Sequence, residues 1–158
     1  TGVSTFCGQN LGAGKTDRIK KGILQGVFVG MAYGLIAGIV LIFFGRTLTL
    51  LFVKPSATAV LDASAKYLRC LGFFYWSLGI LNTCRMTTQG LGYSGRAILS
   101  GAVEMAARCF VSLALVPIFH FNAICFADQS AWITATLYIV PTCLLVVRSI
   151  EKKRKECK

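Results

Sequence analysis

Apolar residues fall along this chain in long unbroken runs, not at the spaced positions of an amphipathic soluble helix. The longest run, residues 22–45 (GILQGVFVGMAYGLIAGIVLIFFG), carries no charge, and Gln25 is its only strongly polar side chain. At a rise of ~1.5 Å per residue a helix of this length reaches ~36 Å, enough to cross ~30 Å of hydrocarbon with some tilt. A helix that is apolar on every face belongs in lipid. Its glycines stand at Gly22, Gly26, Gly30, Gly34 and Gly38, one every fourth residue and therefore along one side. Membrane helices are rich in glycine in any case. Five in register nevertheless predict a seam where the backbone of a second helix comes close.

Three more runs, at about residues 67–91, 97–119 and 129–147, predict further spans, the last with a kink at Pro141. Residues 1–13 read as the last turns of a preceding helix, and a chain that begins at Thr1 without a signal-peptide layout reads as a piece of a longer one. Between the runs, residues 15–21 (KTDRIKK) are expected to form a short basic loop and residues 46–65 a short helix and turn at the far surface. Residues 92–96 are expected to form a tight turn, residues 120–128 a connection, and residues 148–158 a basic tail. The fold class expected is all-α: a polytopic membrane helical bundle of four full transmembrane helices plus the end of a preceding one.

Composition agrees with this picture. Of the 158 residues 55% are hydrophobic and only 15% charged, against ~25% charged in soluble domains. The net charge of +11 could suggest nucleic acid, but the basic residues gather at the ends of the apolar runs, so no nucleic-acid partner is expected. Residues 15–21, Arg96 and the tail hold 11 of the 17 lysines and arginines. Four crossings place these three stretches on one side, and an excess of positive charge makes that side cytoplasmic. The C-terminus is thus expected in the cytoplasm; the membrane expected for the chain is a prokaryotic plasma membrane.

Several motifs lead nowhere. In Gln9-Asn10-Leu11-Gly12-Ala13-Gly14-Lys15-Thr16 a glutamine stands where a phosphate-binding loop needs its first glycine, and no strand precedes it. Residues 90–95 match G-x-G-x-x-G, but they follow an apolar run, and no acidic residue lies ~20 positions on. His120 is the only histidine, and the seven cysteines form no CxxC pair. Neither a metal site, nor a cofactor, nor nucleophilic catalysis is expected.

The chemistry that remains is a small polar constellation. Glu104 is the only acidic residue inside a predicted span, and such charges face a bundle interior or a cavity. Arg108 is one candidate partner, at i+4 with the glutamate N-terminal. If the turn centres between Ser94 and Gly95, Arg85 lies opposite Glu104, ~14 Å from the turn, and Asn82 lies near Arg108. Asn82, Arg85, Gln89, Glu104 and Arg108 form the candidate intramembrane network. Its role is open between an ion pair that staples two helices and a part in gating or ion coupling.

Three stretches together resemble the multidrug and toxic compound extrusion (MATE) transporters: residues 2–21 (GVSTFCGQNLGAGKTDRIKK), residues 67–94 (YLRCLGFFYWSLGILNTCRMTTQGLGYS), and residues 100–132 with ICFADQSAW. The resemblance implies a twelve-helix protein of two six-helix lobes that exchanges cationic or amphipathic drugs for sodium ions or protons by alternating access. It implies that this chain is part of the C-terminal lobe and that the N-terminal lobe is its missing partner, beside the bilayer and a small-molecule substrate. The aspartate that coordinates the cation in some members, in the helix matching residues 67–91, has no counterpart here. Gln25, Tyr33, Asn82, Gln89 and Trp76 are candidate cavity-lining groups by polarity or aromaticity alone. Two other readings stay open, a lipid-linked saccharide flippase of related fold and a non-transporting membrane assembly subunit. Too little sequence lies outside the predicted spans for a signalling or enzymatic module.

Overall fold

The computed structural model describes residues 2–54 and 57–156. Within them the chain forms five helices: α1 (Gly2–Gly12), α2 (Thr16–Thr49), α3 (Thr58–Gly90), α4 (Ser94–Phe119) and α5 (Phe121–Glu156). The breaks between them are shorter than the hydropathy pattern suggests. Residues 16–21 are the first turns of α2 instead of a loop. Residues 121–128 are the start of α5 instead of a connection, and the tail continues that helix to Glu156. Hydropathy misses these boundaries because a helix can carry polar residues beyond the bilayer without changing its backbone. Helix α5 also runs on through Pro141.

Two glycines make the tight reversals. After α1, Gly14 (φ 65°) takes the left-handed conformation, with Gly14 N–H donating to the Leu11 carbonyl and Lys15 N–H to the Asn10 carbonyl. After α3, Gly92 (φ 86°) repeats this arrangement, with Gly92 N–H on Gln89 and Tyr93 N–H on Thr88. Both satisfy carbonyls that a helix end leaves unpaired. Helices α4 and α5 are separated only by His120, itself at φ 49°.

Helix α3 is the centre of the bundle, in contact with each of the other four. It lies antiparallel to α2 along the predicted glycine seam. A Cβ on Gly30 would come within 3.0 Å of the Gly79 carbonyl oxygen, and one on Gly34 within 2.8 Å of the Tyr75 carbonyl oxygen. Gly38 and Gly72 meet backbone to backbone, and a Cβ on Gly72 would sit 2.7 Å from the Gly38 carbonyl oxygen. Lower on α2, Gly26 faces Thr83 and Val3, while Gly22 faces Phe6 of α1. The seam therefore serves two neighbours, and α3 contributes glycines of its own.

On its other side α3 packs against α5 through Leu81, Cys84, Trp132, Ala135, Ile139 and Cys143, with Tyr75 edge-on to Trp132 at 5.9 Å. A second cluster of Cys7, Ile19, Leu91, Val146 and Val147 gathers α1, α2, α5 and the turn after α3 at the end that carries most of the basic residues. Away from these seams the surface is apolar. Leu24, Phe28, Phe43 and Leu113 are each 72–79% exposed, far more apolar exposure than water tolerates as a contiguous face.

By length and hydropathy α2, α4 and α5 can each cross a membrane. Helix α3 is as long but more polar. Many of its hydroxyls are nonetheless provided for inside the bundle: Thr83 donates to the Gly79 carbonyl, Thr88 to the Cys84 carbonyl, and Ser77 meets Thr136 at 3.4 Å. A polar helix satisfied in this way is compatible with lipid around the bundle.

Candidate functional site: a charged network across three helices

The α3–α4 hairpin sets the site. Its turn at residues 91–93 brings Arg85 across from Glu104, and Arg85 Nη2 donates to Glu104 Oε2 at 2.7 Å. The same guanidinium donates to Ser100 Oγ at 3.1 Å, one turn nearer the hairpin. From its own helix Glu104 accepts Arg108 Nη2 on Oε1 at 3.3 Å. Each carboxylate oxygen thus holds a different guanidinium.

Arg108 then carries the network to α5, with its Nε 2.9 Å from Asp128 Oδ1. The other oxygen of Asp128 accepts the hydroxyl of Tyr67, near the start of α3. The result is an unbroken chain, Ser100–Arg85–Glu104–Arg108–Asp128–Tyr67, that leaves α3 at residue 85 and returns to it at residue 67. Those two positions are ~27 Å apart along a helix axis, most of the thickness of a hydrocarbon layer. Two carboxylates balance two guanidiniums. Neutral overall and hydrogen-bonded at each step, such a network can persist where a lone charge could not.

The structure brings together Arg85, Glu104 and Arg108 of the five residues proposed from sequence. Asn82 and Gln89 are exposed on α3 and make no hydrogen bond to the network among the described residues. Arg108 turns to Asp128 instead of toward Asn82, because α5 lies closer to that face of α4 than the hairpin symmetry implies. Gln25, Tyr33 and Trp76 are exposed as well, and Gln25 lines a shallow groove with Val3 and Phe6.

Asp128, Tyr67 and Ser100 were not singled out from the sequence. Hydropathy puts Asp128 in a connection, but with α5 beginning at Phe121 it stands two turns inside a helix. The available signal was the charge itself, since Asp128 is the only acidic residue between Glu104 and Glu151. Next to it, Gln129 is 1% exposed, and neither of its amide atoms has a hydrogen-bond partner among the described residues.

Tyr67 also lines an apolar groove of about 840 Å³ between the end of α2 and the beginning of α3, with Leu41, Phe52, Val60 and Leu68 on its walls and Ile124 of α5 at its side. One side chain therefore belongs to both an apolar groove and the charged network.

A bundle of long apolar helices, with a lipid-compatible exterior and with Arg85, Glu104, Arg108 and Asp128 paired to one another, is an integral membrane protein. The family model MatE matches residues 1–105, two-thirds of the chain, and the chain belongs to that family of transporters. No curated protein and no solved structure matches it.

Proposed function

We propose that this chain forms part of one lobe of an antiporter that exports amphipathic or cationic compounds in exchange for sodium ions or protons. The charge-balanced network joining α3, α4 and α5 carries this reading. A neutral chain of two acids and two bases linking three apolar helices becomes unbalanced when a proton or cation joins either carboxylate. The guanidinium released then needs a new partner, and the helices that hold it change their packing. Such a two-state element is what coupling an ion gradient to alternating access requires.

The apolar groove beside Tyr67 supports an amphipathic substrate, since it offers apolar walls with a phenol at the network's end. The basic residues around the α1–α2 turn and on the last turns of α5 support a cytoplasmic position for both. The antiparallel packing of α3 along α2 supports four crossings, because a bilayer that contains α2 contains α3 too.

The test is gradient-driven efflux of a fluorescent cationic dye by the full-length protein in proteoliposomes, with sodium and proton gradients imposed in turn. One gradient should drive efflux, and Glu104→Gln and Asp128→Asn should each weaken the response while folded protein still reaches the membrane. Normal gradient response in both folded variants would remove the network from the mechanism, and no dye movement under either gradient would remove the antiport reading.

A further inference from the structure

A second polar concavity lies at the opposite end of α2 from the apolar groove, outside the network. It has a volume of about 630 Å³ and is formed by the α1–α2 turn and the last turns of α5. Four of its lining side chains are cations: Lys15, Arg18, Lys20 and Arg154. Two are acids, Asp17 and Glu151, and Glu151 is taken up by Lys20. Among the described residues no carboxylate pairs with Lys15, Arg18 or Arg154. Arg154 is exposed, but its guanidinium lies against the α1–α2 turn, where a Cβ on Gly14 would sit 2.5 Å from Nη2 and 2.8 Å from Cζ.

A positive excess on one side of a membrane asks only that the charges be on that side. It does not ask three unpaired cations from residues about 140 apart in sequence to converge on one hollow, where they repel one another. An anion in the hollow relieves that repulsion. The place says which anion. The lipid-facing side of α2 opens immediately above, with Leu24 72% and Phe28 74% exposed, only one and two helical turns beyond Lys20. The cations therefore sit where headgroups lie.

We propose that this cleft binds the phosphate of an anionic phospholipid headgroup, tying the α1–α2 turn to the end of α5. The binding needs the protein to be in a membrane but does not depend on which ion or substrate it transports. Juxtamembrane lysines and arginines of this kind recognise anionic lipids through charge, and clefts between helices add selectivity for a headgroup.

The full-length protein in phosphatidylcholine micelles is titrated with phosphatidylglycerol, and separately with inorganic phosphate, while thermal unfolding is followed. Phosphatidylglycerol should raise Tm saturably and phosphate should not. The triple variant Lys15→Gln, Arg18→Gln, Arg154→Gln should bind phosphatidylglycerol at least about tenfold more weakly, given roughly one order of magnitude per one to two juxtamembrane cations. A control with the same charge change outside the cleft, Lys21→Gln, Arg148→Gln, Lys153→Gln, should lose clearly less affinity, because it weakens only the diffuse attraction and leaves the cleft intact. Asp17→Asn, which removes an acid lining the cleft that has no ion-pair partner among the described residues, should bind more tightly, and it tests the cleft even if the triple variant fails to fold. Equal loss in the cleft and control triples would reduce the effect to diffuse charge. A Tm shift reproduced by phosphate would make the ligand a free anion. No shift with phosphatidylglycerol, or no gain in Asp17→Asn, would overturn the proposal.

Discussion

Arg108 Nε lies 2.9 Å from Asp128 Oδ1, and this contact turns a pairwise staple into a network. Without it, Arg85, Glu104 and Arg108 would be confined to the α3–α4 hairpin. With it, α5 is bound into the same hydrogen-bonded chain as α3 and α4. Glu104 stands between the two guanidiniums, with one oxygen on each.

Glu104→Gln therefore separates two roles. Removing the carboxylate leaves two guanidiniums compensated by Asp128 alone, and breaking a buried pair costs ~3–5 kcal/mol where the remaining charge cannot reach water. Arg108 is 46% exposed on its side chain, so the loss should fall below that range. The expected outcome is folded protein at reduced yield whose efflux no longer follows the ion gradient. Folded yield and gradient-driven efflux are measured together. Reduced yield with normal coupling in the surviving protein would leave only the staple.

Tyr67→Phe removes one hydroxyl from the far end of the network. The hydrogen bond to Asp128 is to a charged acceptor, so its loss should cost ~1.5–3 kcal/mol. The groove keeps its shape, because the ring stays. Dye affinity should change little while the ion dependence of efflux shifts, measured as the gradient needed for half-maximal rate. An unchanged ion dependence would place Tyr67 outside the coupling element.

The glycine seam can be tested against glycines elsewhere in the same protein. A methyl at Gly34 or Gly38 meets backbone of α3, and backbone cannot move aside as a flexible side chain can. Gly34→Ala and Gly38→Ala should each destabilise by ~1–3 kcal/mol through overpacking. Gly101 lies in α4 with nothing within 4 Å of an added Cβ, and Gly101→Ala should be neutral or stabilising by up to ~1 kcal/mol. Thermal unfolding in detergent ranks the three. Equal effects would mean that helix propensity, not the seam, controls stability.

Much of this architecture is written in hydropathy and glycine spacing. The run from Gly22 to Gly45 can only be a lipid-exposed helix, and its four-residue glycine period marks one face whatever the partner is. That the partner is α3 over most of its length and α1 at Gly22 could not be read, because spacing shows a face and not what covers it. The Arg85–Glu104 contact follows from hairpin symmetry, since a two-helix turn fixes which residues share a depth. Asp128 escaped that logic: its partner is on a different helix, and the register between α4 and α5 depends on where the chain reverses, at His120. Hydropathy blurs that reversal because helix continues through polar residues on its far side.

Topology follows from the same charges. A cysteine introduced at Lys153 should resist a membrane-impermeant thiol reagent in intact cells, and one at Lys54 should react. Both are read in a background lacking native cysteines, among which Cys157 lies outside the described residues. Reaction at position 153 from outside would invert the orientation, and reaction at both positions would break the even count of crossings.

Gln129 offers the sharpest separation of stability from function. Its side chain is 1% exposed, and its amide has no hydrogen-bond partner among the described residues. A buried amide without partners costs ~1–3 kcal/mol relative to an apolar side chain of the same size. A bundle selected for stability alone has no reason to keep it one residue from Asp128. Methionine has nearly the same length and volume, so Gln129→Met should fill the space and raise thermal stability by about that amount. If the amide takes part in holding the coupling cation beside Asp128, the stabilised variant should transport more slowly or need a steeper gradient. Thermal unfolding and gradient-driven efflux are measured on the same preparation. Higher stability with unchanged efflux would make Gln129 a structural defect with no function, and lower stability would mean that the amide has a partner in the folded protein.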